Sequence, residues 1–487
     1  MKENQLSNKI LNAAKWSSIT EIAAKLVMPL TNMVLARLIA PEAFGVVATV
    51  TMIASFADMF TDAGFQKYLV QHEFKGEREK HRYANVAFLT NFAISILIWG
   101  IIVLFSEQMA VLVGNPGLGI VIAVACVQLP ITAFSSIQMA LYRRDFDFKT
   151  LFMVRMVSLF IPVFVTIPLA LLGLSYWSLI IGTIFMQVSN AVILTIKSKW
   201  KPKWFYDVYI LKDMLSFSIW SMVEAISIWL TTWVDTFIIA TLLSEYFLGI
   251  YKTSTTMVNA LMALVTASTV PVLFSALSRL QNNTDQFNKM YFKIQRIVSI
   301  LVFPLGIGVF LYSDLATKIL LGSKWSEASD VIGIWALTSS LMIVFGNFCS
   351  EVYRAKGKPK LSFLAQLLHL VVLIPVCIIS SKYGFWALVY ARSWIRMEFI
   401  LVHFVIMKFV IGFPIFKTFR NIFPTAISAV IMGVTGYTLQ KLNEGILWEL
   451  CSIIICVLFY FVLLTLFPNM RKEMIGIGKK LMPNSVK

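Results

Sequence analysis

Apolar runs long enough to cross a bilayer, separated by short polar and basic stretches, recur from one end of the chain to the other. At about 20 apolar residues per crossing, the pattern predicts helices near 14–39, 44–69, 84–106, 117–141, 150–173 and 175–196, then 213–242, 247–278, 294–312, 329–353, 361–381, 385–408, 419–439 and 446–467. The expected fold class is therefore all-α, a polytopic membrane protein with about fourteen transmembrane helices. An even number puts both ends of the chain on one side.

The first of these stretches, Trp16 to Gly45, carries charge in its middle. Glu21 and Lys25 are four apart, and with Ser18 and Asn32 they share one helical face. A charge near the bilayer centre costs roughly 2.5–3.5 kcal/mol on insertion scales, so that face is expected to look into protein or a watery cavity. Pro29 removes a backbone hydrogen bond and favours a kink in the same helix. Prolines at 130, 162, 168, 271, 304 and 375 also fall inside predicted spans, where each is read as a kink, static or mobile.

Composition agrees with the pattern: 58% of the 487 residues are hydrophobic and 14% charged, against about 25% charged in soluble domains. The polar N-terminus is followed by a helix that retains its charges and lacks a small-residue cleavage site, so no signal peptide is expected. The five cysteines lie scattered in apolar runs without metal or redox spacing, which argues against disulfides, metals and cofactors. The net charge of +17 would suit nucleic acid, but its placement says otherwise. With the N-terminus inside, 32 of the 42 Lys and Arg residues fall in inner segments and six in outer ones. That asymmetry predicts cytoplasmic termini and removes the case for a nucleic-acid partner.

The basic run KSKWKPKW (Lys197 to Trp204) reads as a linker between two halves. Trp16-Ser17 stands 29 residues before Gly45 as Trp220-Ser221 stands 29 before Gly249, an offset of 204. Tyr142-Arg143 recurs as Tyr353-Arg354, and Tyr176-Trp177-Ser178-Leu179 as Phe385-Trp386-Ala387-Leu388, at offsets of 211 and 209. Three matches in order predict two six-helix bundles of one orientation, residues 1–196 and 213–410, joined by a cytoplasmic linker, 197–212. Residues 411–487 would add two appended helices and a cytoplasmic tail.

In such a protein the interface between halves near the midplane is the default substrate path. Arg392 and Arg396 are four apart in the twelfth predicted helix, with Arg396 roughly 18 Å from its outer end. With Lys25 they suit an anionic head group, because guanidinium matches phosphate geometry. The alternative is neutralisation by an internal carboxylate such as Glu398 or Glu351. Arg155 lies about 8 Å from the inner end of the fifth helix, within reach of the surface by snorkelling. Glu21, Asp58, Glu224 and Asp235 are the acidic candidates; they either bind a coupling cation or proton, or offset the cations. Glu224, Thr231 and Asp235 share a face of the seventh helix. Asp62, in FTDAGF, reads as a turn or rim residue, and the aromatic residues at span ends, Trp16, Tyr176, Trp177 and Trp386 among them, as interface anchors. No GxxxxGK[ST], HExxH or GxSxG pattern occurs, so a transporter without chemistry of its own is expected rather than an enzyme.

The segment LARLIAPEAFGVVATVTMIASFADMFTDAGF (Leu35 to Phe65) resembles the polysaccharide-export flippases of the MATE-like multidrug/oligosaccharidyl-lipid/polysaccharide exporter superfamily. VDTFIIATLLSEYFLGIY (Val234 to Tyr251), VYRAKGKP (Val352 to Pro359) and YGFWALV (Tyr383 to Val389) extend the likeness over about the first 410 residues. The resemblance implies two six-helix bundles around a cavity in the bacterial cytoplasmic membrane. It implies alternating access, and movement of undecaprenyl-pyrophosphate-linked oligosaccharide for O-antigen, capsule or exopolysaccharide. The cationic cavity of such flippases would map onto Lys25, Arg392, Arg396 and Arg155. Membrane lipids, polysaccharide polymerase and chain-length machinery are the implied partners. The alternative is a cation-coupled multidrug exporter of the same superfamily, which would bring an acid-dominated cavity. A membrane scaffold and an integral glycosyltransferase are disfavoured, the first by buried charge and the second by the lack of a catalytic extramembrane region.

Overall fold

Inside a bilayer every backbone polar group needs a partner within the chain, so long apolar runs have helix as their available form. The computed structural model describes residues 27–62, 64–443, 445–468 and 470–471 with positions 16, 20, 23 and 24, less the side chains of 61–62, 216–225, 267–268, 271–272 and 275. All regular structure among them is helical. Ten of these helices are long and apolar enough to cross a membrane, and Val27–Leu38 and Ile226–Leu242 are shorter apolar stretches. The expected fourteen are not all met as single long helices for physical reasons. The twelfth predicted span is divided into two pieces of 10 and 11 residues, Phe385–Trp394 and Arg396–Ile406. The second predicted span ends early, because Gly64 takes a left-handed φ of 79° that a residue without Cβ adopts at little cost.

The chain divides into two compact units, Met1–Lys252 with Cys377–Phe385, and Thr253–Val376 with Trp386–Lys487. The first unit holds α1 (Val27–Leu38), α2 (Pro41–Asp62), α3 (Phe65–Gln71), α4 (Glu77–Leu104), α5 (Ser106–Leu112), α6 (Gly119–Ala125) and α7 (Gln128–Arg144). It continues through α8 (Phe148–Ile161), α9 (Ile167–Leu171), α10 (Tyr176–Lys197), α11 (Val208–Leu242) and the start of α12 (Glu245–Arg279). Between α8 and α9 the chain widens into a π-helical turn, Pro162–Thr166. Prolines 162 and 168 withhold the N–H groups that would tighten it. Close approach is bought with small residues: a Cβ on Gly182 of α10 would meet the Thr166 hydroxyl.

At the crossing of α2 and α12 two glycines face each other. A Cβ on Gly45 would run into the carbonyl oxygen of Glu245, and one on Gly249 into the carbonyl oxygen of Pro41. These are the two glycines that the sequence offset of 204 pairs, and the contact is reciprocal at that same offset.

The basic run read as a linker is packed rather than free. Trp200 is 5% exposed and belongs to a cluster with Phe65, Leu69, Val86, Ile137 and Met214. The Lys203 N–H donates to Asn85 Oδ1 (3.1 Å), Thr90 donates to the Tyr206 hydroxyl (3.2 Å), Arg82 lies over the Phe205 ring (4.7 Å) and pairs with Asp207 (3.4 Å). All three partners, Arg82, Asn85 and Thr90, stand on α4. Just beyond, the hydroxyls of Tyr68 and Tyr83 donate to the Asp213 carboxylate (2.7 and 3.0 Å).

The second unit is built on α13 (Thr284–Leu311), α14 (Ser313–Leu320), α15 (Ala328–Met342), α16 (Phe348–Ala355), α17 (Lys360–Ser381), α18 (Phe385–Trp394), α19 (Arg396–Ile406), α20 (Phe416–Gln440) and α21 (Ile446–Thr465). The last two helices dock on α13 through polar pairs: Ser299 with Thr425 (2.8 Å), Gln440 donating to the Leu311 carbonyl (2.9 Å), and Tyr460 donating to the Ile300 carbonyl (3.0 Å).

Candidate functional site

The two arginines of the twelfth predicted span meet on one indole. Trp335, 4% exposed on α15, has the Arg396 guanidinium carbon 3.5 Å from its ring centroid and that of Arg392 at 5.5 Å. Four residues of spacing put both on one face, and the indole supplies a negative ring surface for each. Arg396 Nη1 donates to the Ser339 hydroxyl (2.6 Å), with the Thr338 hydroxyl and the Trp335 carbonyl at 3.4 and 3.5 Å. Trp335 is fixed in turn by donating Nε1–H to Asn259 Oδ1 (3.1 Å). Hydroxyl and carbonyl acceptors of this kind orient the planar guanidinium fork. Arg392 is 8% exposed and Arg396 is half-buried, so the Arg392 guanidinium is the more desolvated of the two.

The carboxylates considered as neutralising partners have engagements of their own. Glu351 is bonded to Arg354, one turn along α16. Glu398 accepts from His369 Nδ1 at 2.7 Å, and the His369 ring stacks on Phe399 at 4.3 Å. His369 is 2% exposed, so a largely buried His–carboxylate pair joins α17 to α19, the helix that carries Arg396.

The other candidates are spread over the first unit. Arg155 is exposed on α8 and donates to Met28 Sδ at 3.7 Å; it lines a cavity of about 380 Å³ with Thr20, Arg143, Ser158 and Asn190. Asp58 is exposed on α2. Asp235 is 4% exposed and accepts from the Tyr251 hydroxyl at 2.7 Å and from the backbone N–H of Thr236 at 2.7 Å. Lys252 donates to the Thr236 hydroxyl (3.3 Å) and sits 3.7 Å above the Trp233 ring. Tyr251→Phe removes a buried donor to a carboxylate and is expected to destabilise the protein by about 1–3 kcal/mol, measured by thermal unfolding in detergent. Glu21 and Lys25 lie outside the described residues, and Glu224 stands on α11 with its side chain outside them.

Sequence reasoning found the arginines and missed what holds them. Trp335 was legible as an anomaly, since an indole seven residues into a span is too deep for an interface anchor. The Ser339 and Thr338 hydroxyls gave no such signal, because serine and threonine commonly bond back to their own helix.

A family model described as polysaccharide biosynthesis protein matches residues 34–330. The chain belongs to the polysaccharide biosynthesis protein family. It is 21% identical over 416 residues to the lipopolysaccharide biosynthesis protein WzxC of Escherichia coli (strain K12), covering 84% of this chain and 82% of that one. The succinoglycan biosynthesis transport protein ExoT of Rhizobium meliloti (strain 1021) is 22% identical, covering 68% and 67%. Among solved structures, lipid II flippase MurJ in an inward closed conformation superposes with a TM-score of 0.75 at 16% identity, over 94% of this chain and 99% of that one. An inward-facing multidrug resistance MATE family transporter of the MOP superfamily gives 0.62 at 14%, over 82% and 99%. The fold is thus that of the MOP-superfamily transporters, as the sequence resemblance implied.

Proposed function

We propose that this member of the family is a flippase. It carries undecaprenyl-pyrophosphate-linked oligosaccharide repeat units across the bacterial cytoplasmic membrane for surface polysaccharide synthesis. Both termini are cytoplasmic in this reading, and residues 1–196 and 213–410 act as the halves of an alternating-access device. The observation that carries the reading is the pair Arg392 and Arg396 gathered on Trp335. A pyrophosphate is the part of such a lipid that hydrocarbon rejects, and desolvated guanidinium groups offset the penalty of taking it from water. The names of WzxC and ExoT, one a lipopolysaccharide biosynthesis protein and one a succinoglycan transport protein, point to the same class of cargo. Lys25 and Arg155 extend the cationic set in this reading. Glu21, Asp58, Glu224 and Asp235 are the acids available for coupling, and polymerase and chain-length machinery are its downstream partners.

The test compares a bacterial deletion strain with the same strain complemented by the wild-type gene. Accumulated lipid-linked oligosaccharide and lost surface polymer, both reversed on complementation, are the expected result. Normal intermediates with raised sensitivity to cationic drugs would replace this reading with multidrug export.

A further inference from the structure

The first unit holds a cavity of about 380 Å³ where α7, α8 and α10 come together, a volume in the range of small-ligand sites. Ten residues line it, two of them arginines and none acidic. Arg143 stands in the last turn of α7. Arg155 is seven residues into α8, about 10 Å along the helix from its start. Both residues are exposed.

The protein itself engages little of these two guanidinium groups, each of which carries about five N–H donors. Arg155 has one contact, the thioether sulfur of Met28 at 3.7 Å. Arg143 has two, the thioether sulfur of Met139 at 3.2 Å and the Gln66 side-chain oxygen at 3.4 Å. A thioether is a weak acceptor, and among the described residues neither arginine is paired with a carboxylate. Other arginines of the same unit are fully engaged: Arg144 donates to the carbonyls of Leu69, Val70 and His72, and Arg82 pairs with Asp207 (3.4 Å). A cation within a membrane span normally faces a compensating anion, so two at one cavity without one call for an anion from outside the chain.

The rest of the wall selects among anions. Met139, Phe148 and Leu151 are half-buried lining residues, and a free inorganic anion would leave their apolar surface uncovered. Asn190, also half-buried, has its side-chain oxygen bonded to the Ser158 hydroxyl, while its amide nitrogen has a single long contact, Gln187 at 3.5 Å. The cavity therefore offers two planar cationic forks and an amide donor beside an apolar wall, close to where α7 ends and α8 begins. Guanidinium forks match phosphate oxygens in pairs. Basic pockets between membrane helices at their cytoplasmic ends are the kind that take lipid head groups.

We propose that this cavity binds the phosphate of an anionic membrane lipid, held between Arg143 and Arg155, with the lipid chain leaving along Phe148 and Leu151. Of the transport reading it rests only on α7, α8 and α10 crossing the membrane with the turn 145–147 on the cytoplasmic side. It gives Arg155 a working partner, Arg143, and a ligand that engages both. The lipid has two sources, a bulk phospholipid and a polyprenyl pyrophosphate.

The delipidated full-length protein is titrated with phosphatidylglycerol, phosphatidate and undecaprenyl pyrophosphate, one at a time, and the bound lipid is read by native mass spectrometry. Phosphatidylcholine and inorganic pyrophosphate serve as controls. At least one of the three lipids is expected to bind about tenfold more tightly than either control, and Arg143→Gln and Arg155→Gln each to weaken it about tenfold, the weight of one charge-assisted hydrogen bond. Arg155→Lys keeps the charge and loses the fork, so an intermediate affinity is expected. Neither arginine leaves a carboxylate behind, so both glutamine variants are expected to unfold at the wild-type temperature without added lipid, which separates binding from packing. The component of binding lost in Arg143→Gln is expected to persist in Arg396→Ala, which sets this cavity apart from the centre on Trp335. Equal binding of either control, or binding untouched by both glutamine variants, overturns the proposal. Preference for undecaprenyl pyrophosphate over the two phospholipids assigns the polyprenyl source; equal or weaker binding of it assigns the bulk phospholipid. Absent binding beside normal complementation removes the cavity and leaves the transport reading standing. Binding in a protein whose deletion leaves lipid-linked intermediates unchanged does the reverse.

Discussion

Arg396→Ala is expected to reduce surface polysaccharide export at least tenfold while membrane insertion and yield stay at wild-type levels. A charge-assisted hydrogen bond contributes about 1.5–3 kcal/mol, and about 1.4 kcal/mol is a factor of ten. One lost contact to a pyrophosphate thus corresponds to roughly ten- to a hundredfold. Among the groups the change leaves behind, the Ser339 and Thr338 hydroxyls can each turn to a carbonyl of their own helix. Arg396→Lys discriminates between charge and shape. It keeps the cation and loses the planar fork and the stack on the indole, so an intermediate export level is expected. Lipid-linked intermediates and surface polymer are the readouts, with membrane yield as the control. Export unchanged in Arg396→Ala would remove this residue from the substrate path.

Gly249→Ala is expected to destabilise the protein by about 1–3 kcal/mol or more, the range for forcing atoms into a filled site. The added methyl would be driven into the Pro41 carbonyl oxygen, and backbone cannot swing aside as the end of a long side chain can. Gly45→Ala should do the same against Glu245. Because both act at one crossing, the double variant should cost less than the sum of the two. Gly100→Ala on α4, where an added Cβ meets nothing within 4 Å, is the control expected to leave stability near wild type. Thermal unfolding in detergent and yield from membranes measure all four. A Gly249→Ala protein as stable as the control would mean that the two helices do not cross this closely.

Hydropathy period made the helices legible, and the 3.6-residue repeat made the arginine pair legible as one face. Other features depended on information that neither carries. Whether 385–411 is one helix or several pieces depends on local hydrogen bonding near Ile395, where no proline or glycine marks the change. Trp335 and Ser339 sit 57 or more residues from Arg396 in the chain, so their meeting is a product of packing that a one-dimensional pattern does not contain. Gly45 and Gly249 show both sides of the matter. Their equivalence could be read from the offset, but not that equivalent positions would touch. The packing of the basic run was illegible for a different reason: KSKWKPKW looks like a solvated stretch, and its first tryptophan reads as an interface anchor until the burial of Trp200 is seen.

That run has a mechanical meaning as well. A slack tether lets the segments it joins move independently over a distance set by its contour length. Residues 200–207 provide no such slack, since Trp200, Lys203, Phe205, Tyr206 and Asp207 are each fastened to α4. The segment behaves as a splint glued along that helix, and its working length as a tether is close to zero. Any displacement transmitted along the chain from α10 to α11 must then be taken up beyond Asp207, by bending of α11 itself.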